Sequence, residues 1–348
     1  MRATPVFGLL ASVLAFATLQ GFEPGARPTS GSTSNTWRNV TGNLANMASE
    51  CGNLSLLSAV PRSDDVIAGV ALRGLWKSSG SDAPWVRLGG APETDAIVNR
   101  PTWITHDPVH PEVFWESGTY NAGGIYKTSD AGNSFRQLGT IRHIDYVSVD
   151  FLDPERRTLL ASGHEQTRTI YRSTDGGQVW TNVGARLPTS DQDFSGYPLI
   201  LSSMTYLVNV PGGSETSGIF RTTDGGLSWK RVSAVGPSGP ALVASNGTIY
   251  WPASGGLLMS IDSGSTWMLI GRGVRPVHPL ELQNEKLVSV GQDHLIISSD
   301  RGATWMPFGA PLPFTPDGLV YSPGRRAFLI WHADCRSAVL PDAILEIR

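Results

Sequence analysis

From residue 36 onward, apolar side chains come in short runs that alternate with polar ones and stop at Gly, Pro or Asn. GGIYK, RTIYR, SGIFR, GGLLM and DHLII are five such runs, and FRQLG, WTNVG, WKRVS, WMLIG and WMPFG are five more. Further runs of the same kind, such as VSVDF, TLLAS and TIYWP, lie upstream of them. A two-residue alternation over four or five positions predicts half-buried strands, each closed by a turn residue. No long window carries the 3.6-residue period of an amphipathic helix. The pattern predicts an all-β chain of many short strands.

The runs are punctuated by one phrase. STDGGQVW spans 173–180 and TTDGGLSW spans 222–229; TSDAGNSF (128–135), SIDSGSTW (260–267) and SSDRGATW (298–305) repeat it. SSGSDAPW (78–85) is a worn copy that keeps Ser78 and Trp85 but has Gly80 where the others have Asp. The pattern is Ser/Thr-x-Asp-x-Gly-x-x-aromatic. An aspartate can accept hydrogen bonds from the backbone of its own turn, and a glycine two residues on supplies a conformation that side chains resist. The closing aromatic can pack between neighbouring sheets. One strand precedes and one follows each copy, so each repeat of 38 to 50 residues holds about four strands.

On these residues the chain resembles the Asp-box, or BNR, repeat of β-propellers. The resemblance implies a ring of four-stranded blades whose aspartate turns lie on the face away from the functional site. Six copies give six blades. After the sixth, DGLVYS, RAFLIWH and AILEIR supply three more strands, and TWRNV at 36–40 offers the missing outer strand, with Trp37 in the place of a closing aromatic. The expected fold is an all-β, seven-bladed β-propeller over 36–348, its last blade closed by the N-terminal strand. Such closure removes the exposed edges of a broken ring. Cys51 and Cys335 then fall in adjacent closing loops, and a disulfide between them is expected.

Residues 1–21 read as an export signal, with Arg2 followed by an apolar run from Val6 to Leu19. Residues 22–35 read as a flexible leader rich in small and polar residues. A secreted chain, extracellular or periplasmic, is therefore expected. The formal charge of −3 offers no field for nucleic acid, and no later stretch suits a membrane span. The chain is expected to be a monomer with no cofactor.

The blade topology sorts the polar residues. Loops from the second strand to the third, and from one blade to the next, share the upper face. Blade two offers Glu116, Tyr120 and Asn121 there, and blade three offers His164, Glu165, Gln166 and Arg168. The connections into these blades carry Asn99 and Arg100, then Arg142, His143, Asp145 and Tyr146. Blade one offers Arg73. Blades four to six offer only scattered groups (Asp191, Asp193, Tyr197, Glu215, His278, Asp293), and blade seven offers His332 and Asp334. This asymmetry predicts a site off the channel axis, on blades one to three.

The candidate acids and bases are His143, His164, Tyr120 and His106, although THDPVHPEV places His106 near the lower face. Candidate ligand-binding residues are Arg73, Arg100, Arg142, Arg168, Tyr146 and Glu165. Each has a plainer role open to it, since arginines tie loops together and buried tyrosines pack. No tight motif fixes a metal, and neither a phosphate-cradling Gly loop nor a nucleophile elbow is present.

Arginine binds carboxylates in a bidentate fork. Arginines beside histidine and tyrosine suit removal of a proton next to a neutralised carboxylate. In fold and residue type the chain is loosely similar to the seven-bladed lyases that cleave rhamnosyl-glucuronate ends of plant gums. The expectation is a secreted enzyme cleaving a uronate-containing poly- or oligosaccharide by β-elimination. A glycoside hydrolase using a carboxylate pair from Asp145, Glu165 and Glu116 is the alternative enzyme. No Arg-Ile-Pro is present, which argues against a sialidase. A non-catalytic ring, like photosystem assembly factors or sorting receptors, is the third reading.

Overall fold

The computed structural model describes residues 36–50, 53–92, 94–188, 196–210, 216–273, 279–334, 336–341 and 343–348. Thr33–Arg348 forms one unit. Its strands make seven antiparallel sheets of four strands, arranged as the blades of a ring. Among the described residues the only helical segments are three-residue turns.

Blade one is Leu54–Ala59, Val66–Val70, Gly74–Ser78 and Val86–Arg87. Blade two is Arg100–His106, Phe114–Thr119, Ile125–Thr128 and Arg136–Gln137. Blade three is Ile144–Val149, Leu159–Gly163, Ile170–Ser173 and Thr181–Asn182. Blades four, five and six begin with inner strands of only two residues, at Leu199–Ile200, Leu242–Val243 and Leu280–Glu281. Blade seven takes Gly318–Ser322, Ala327–Trp331 and Ile344–Ile347 from the C-terminus and Arg38–Asn39 from the start of the ring.

That last pairing is the predicted closure. Arg38 stands opposite Glu346 and Asn39 opposite Leu345. Thr41, fully buried, accepts the N–H groups of Ala343 and Ile344 at 3.0 Å each on its hydroxyl. Cys51 and Cys335 lie outside the described residues. The segments carrying them meet nonetheless, for Ala48 bridges Val339 and Ser49 N donates to Ala338 O at 3.2 Å.

Seven apolar clusters hold the ring, one at each junction between consecutive blades, including seven to one. The closing aromatic of each repeat packs into the junction with the preceding blade: Trp85, Phe135, Trp180, Trp229, Trp267 and Trp305 in turn. Burying one such ring is worth roughly 1.5–3 kcal/mol, which explains why the phrase keeps its last letter.

The turns have the predicted chemistry. In blades one to six the third strand ends on the Ser or Thr of the phrase. Ser173 Oγ donates to Asp175 Oδ1 at 2.8 Å and accepts Gly177 N at 2.9 Å, while Asp175 accepts Val179 N at 3.0 Å. Gly177 holds φ +92°, in the left-handed region. The fourth strand begins one residue after the aromatic rather than on it.

Blade one shows what replaces a missing aspartate. Ser78 Oγ bonds Gly80 O at 2.8 Å, and Arg325 of blade seven donates to Ser78 O at 2.6 Å. Arg325 also donates to Asp64 O at 2.7 Å and pairs with Glu346 at 3.4 Å, both partners of that pair being buried. The worn turn is the docking point of the closing blade.

Candidate functional site at the upper mouth

The inner strands of blades one, two and three each carry a β-bulge at an equivalent place. The registers slip between Leu54 and Leu56, Pro101 and Trp103, and Ile144 and Tyr146. The extra residues are Ser55, Thr102 and Asp145. A bulge re-aims a side chain out of the alternating pattern, and in blade three the re-aimed group is a carboxylate at the channel mouth.

His164 follows directly on the second strand of blade three. Its Nδ1 lies 2.8 Å from Asp145 Oδ1 and its Nε2 lies 2.9 Å from Tyr120 OH of blade two. An ionised carboxylate only accepts, so Nδ1–H donates to Asp145 and Nε2 accepts the Tyr120 hydroxyl. Glu165 stands 3.5 Å from His164 Nε2. The His143 ring meets Tyr120 edge-on at 5.2 Å and stacks on His164 at 6.2 Å. Burial raises the Asp145 pKa, against the pull of His164. Burial, then the Glu165 charge, raises that of Tyr120, so its phenol stays protonated until something takes the proton.

The backbone holds these groups under strain. Sixteen described non-glycine residues have positive φ, and six of them are Tyr120, Asn121, Ala122, His143, Glu165 and Arg168. Left-handed backbone costs such residues energy and collects at functional sites. Here it is fixed by His164 N donating to His143 O at 2.6 Å and His143 N to Gly123 O at 3.1 Å.

A cavity of about 550 Å³ opens beneath, along the channel. His164, Asp145, Arg100 and Thr119 line one side. The Arg100 charge is felt by both Tyr120 and Asp145, and it forms no ion pair among the described residues. Trp103 and Tyr197 continue the wall, and Tyr146 packs between them with ring centroids 5.0 and 5.5 Å away. Burial holds the Tyr146 phenol well above its ordinary pKa.

The structure thus brings together Tyr120, His143, His164, Glu165 and Arg100, with Tyr146 beside them. Arg142 and Arg168 are exposed on the surrounding loops, and Arg142 donates to Ile141 O at 3.0 Å. Arg73 stands apart; it donates to Ala48 O at 2.7 Å and ties a closing loop. His106 also stands apart, at the lower end of the blade-two inner strand. Its Nε2 meets Ser58 Oγ at 3.0 Å, its ring packs on Phe114, and burial lowers its pKa to about 4.

Glu116 is corrected from loop to strand. It lies fully buried inside Phe114–Thr119, a strand whose six residues are all buried, on the side of Phe114, which packs toward blade one. Neither carboxyl oxygen has a hydrogen-bond partner of normal geometry, and burial raises its pKa to about 8. Asp191, Asp193, Glu215 and His278 lie outside the described residues. Among the described residues no group of three or more His, Cys, Asp or Glu is placed to hold a metal ion. None of their helices is long and apolar enough to cross a membrane.

No protein-family model matches the chain, and no curated protein matches it in sequence. Solved structures do match. The Niastella koreensis GH74 enzyme superposes with a TM-score of 0.60 at 15% identity, over 82% of this chain and 52% of that one. The extracellular domain of BT4673 from B. thetaiotaomicron gives 0.60 at 15%, over 88% and 42%. YCF48 bound to D1 peptide gives 0.52 at 14%, over 86% and 95%. The likeness is one of fold. The chain spans about half the length of the GH74 enzymes it matches.

Proposed function

We propose that the upper mouth between blades two and three is the active centre of an enzyme that cleaves a uronate-containing glycan by β-elimination. The observation that carries the reading is the hydrogen-bonded chain Tyr120–His164–Asp145 beside Arg100, which forms no ion pair among the described residues. Arg100 neutralises the uronate carboxylate, which acidifies the neighbouring C–H. Tyr120 takes that proton as its own passes to His164 Nε2, and Asp145 steadies the imidazolium that forms. The C–H electron pair becomes the new C=C bond, the bond to the leaving oxygen breaks, and His143 protonates that oxygen.

Residues 1–21 act as an export signal in this reading, so the enzyme works outside the cytoplasm. Sequencing the N-terminus of the mature protein tests that. Hydrolysis is the second reading, favoured by Asp145 and Glu165 flanking one imidazole at 2.8 and 3.5 Å. Incubation with a panel of uronate-bearing glycans separates the two. β-Elimination gives ultraviolet absorbance from an unsaturated product, and hydrolysis gives reducing ends without it. Neither signal on any glycan removes the enzyme reading.

A further inference from the structure

Blade seven repeats the dyad of blade three. Asp317 stands just before its inner strand, and His332 follows directly on its second strand, the place His164 has in blade three. His332 Nδ1 lies 2.9 Å from Asp317 Oδ2, and Ala333 N donates to the same oxygen at 2.8 Å. In both blades a carboxylate at the mouth end of the inner strand fixes one imidazole.

The two dyads differ in what the second imidazole nitrogen meets. His164 Nε2 is taken by Tyr120. His332 Nε2 has no hydrogen-bond partner among the described residues, and its ring, partly exposed, lies 5.7 Å from Phe314. Asp317 and Trp331 line the same cavity as His164 and Arg100. The Trp331 side chain lies across Gly318, where any added Cβ would collide with it.

We propose that Asp317, His332 and Trp331 form a second subsite, which binds the neutral sugar joined to the uronate. The inference rests on the proposed function for the acidic half of the ligand only. A cavity of about 550 Å³ is within the ordinary range for a ligand larger than one ring. Sugar hydroxyls suit Asp317 Oδ1 and His332 Nε2, neither of which is hydrogen-bonded among the described residues, and an indole wall suits a ring's C–H face. The substrate is therefore gripped from both sides of the channel as a disaccharide unit.

Calorimetry tests this with three probes: glucuronic acid, an aldobiouronic acid (glucuronic acid joined to one neutral sugar) and the matching neutral disaccharide. The His332 imidazole proton signals are followed alongside. His332→Ala and Asp317→Asn are expected to weaken the aldobiouronic acid about tenfold each and to leave glucuronic acid unchanged. Both groups are partly exposed, so the variants keep the fold. If neither variant affects the aldobiouronic acid, or both weaken glucuronic acid equally, the subsite is overturned and the proposed function stands. If the neutral disaccharide binds and shifts His332 while glucuronic acid does not bind, the subsite stands and the acidic-glycan reading falls. If no probe binds, both fall.

Discussion

Blades one to three and blades four to six are built on one repeat, yet they treat the channel differently. The first three have inner strands of 6, 7 and 6 residues, each with a bulge near the mouth. The second three have inner strands of 2 residues each. The lower face is nearly uniform in blades two to six, because each of them turns there in the same way. The upper face is free to vary, and on blades two and three left-handed backbone, carboxylate and imidazole collect beside bulged inner strands. The proposed site falls where the repeat varies, while the repeated turns and aromatics hold the blades together.

The largest expected effect comes from breaking the rich side. His164→Ala removes the relay and should lower turnover on a responsive uronate glycan by about 10²–10⁴-fold, with thermal unfolding unchanged. Next is the seam between blades seven and one. Arg325→Met takes the buried guanidinium from Glu346, which keeps only Ser81 and the half-exposed Arg348, and strips the donors from Ser78 O and Asp64 O; it should cost about 3–5 kcal/mol in a denaturant titration, while turnover per folded molecule is kept. A smaller loss belongs to the uniform face. Ser260 Oγ accepts Gly264 N at 2.9 Å and donates to Asp262 at 2.8 Å. Ser260→Ala should cost about 1–3 kcal/mol by leaving that N–H unpaired, again with turnover intact.

The last effect is spread over pH as a slope. The folded pKa of Glu116 is about 8 against an ordinary 4.5, so the folded state keeps a proton that the unfolded chain has lost. The Glu116 contribution to stability should therefore fall as pH rises from about 4.5 to 8, by at most about 1.4 kcal/mol per pH unit, and it shows as a net fall above about 6.5, where His106 no longer offsets it. Glu116→Gln should remove that slope in melts taken across the range. His106 works in the other direction. Its folded pKa of about 4 lies below the ordinary 6.5, so stability should fall as pH drops through that window.

The uniform face was legible in the sequence because its physics is local. One phrase holds a hydroxyl, an acceptor, a left-handed glycine and a packing aromatic within eight residues, and its recurrence gives the blades and their number. The closure was legible too, since three leftover strands need a fourth. The site was legible only in part. Topology alone puts Tyr120, His143 and His164 on one face, and their clustering on blades two and three was visible. Asp145 read as one carboxylate among several, because a bulge is a single extra residue with no composition of its own. Asp317 gave no signal, since nothing beside it in the chain marks it; its partner is 15 residues away and is found only through register. Glu116 misled, because a strand and a loop both accept the letters ESGT.

The central claim is that Tyr120, His164 and Asp145 act as one unit. Turnover of a uronate glycan by Tyr120→Phe, His164→Ala and the double variant tests it most directly. The double variant is expected to retain about the same residual rate as the more impaired single one, as groups acting in series do. Losses that multiply would show two independent groups, and the relay would be contradicted.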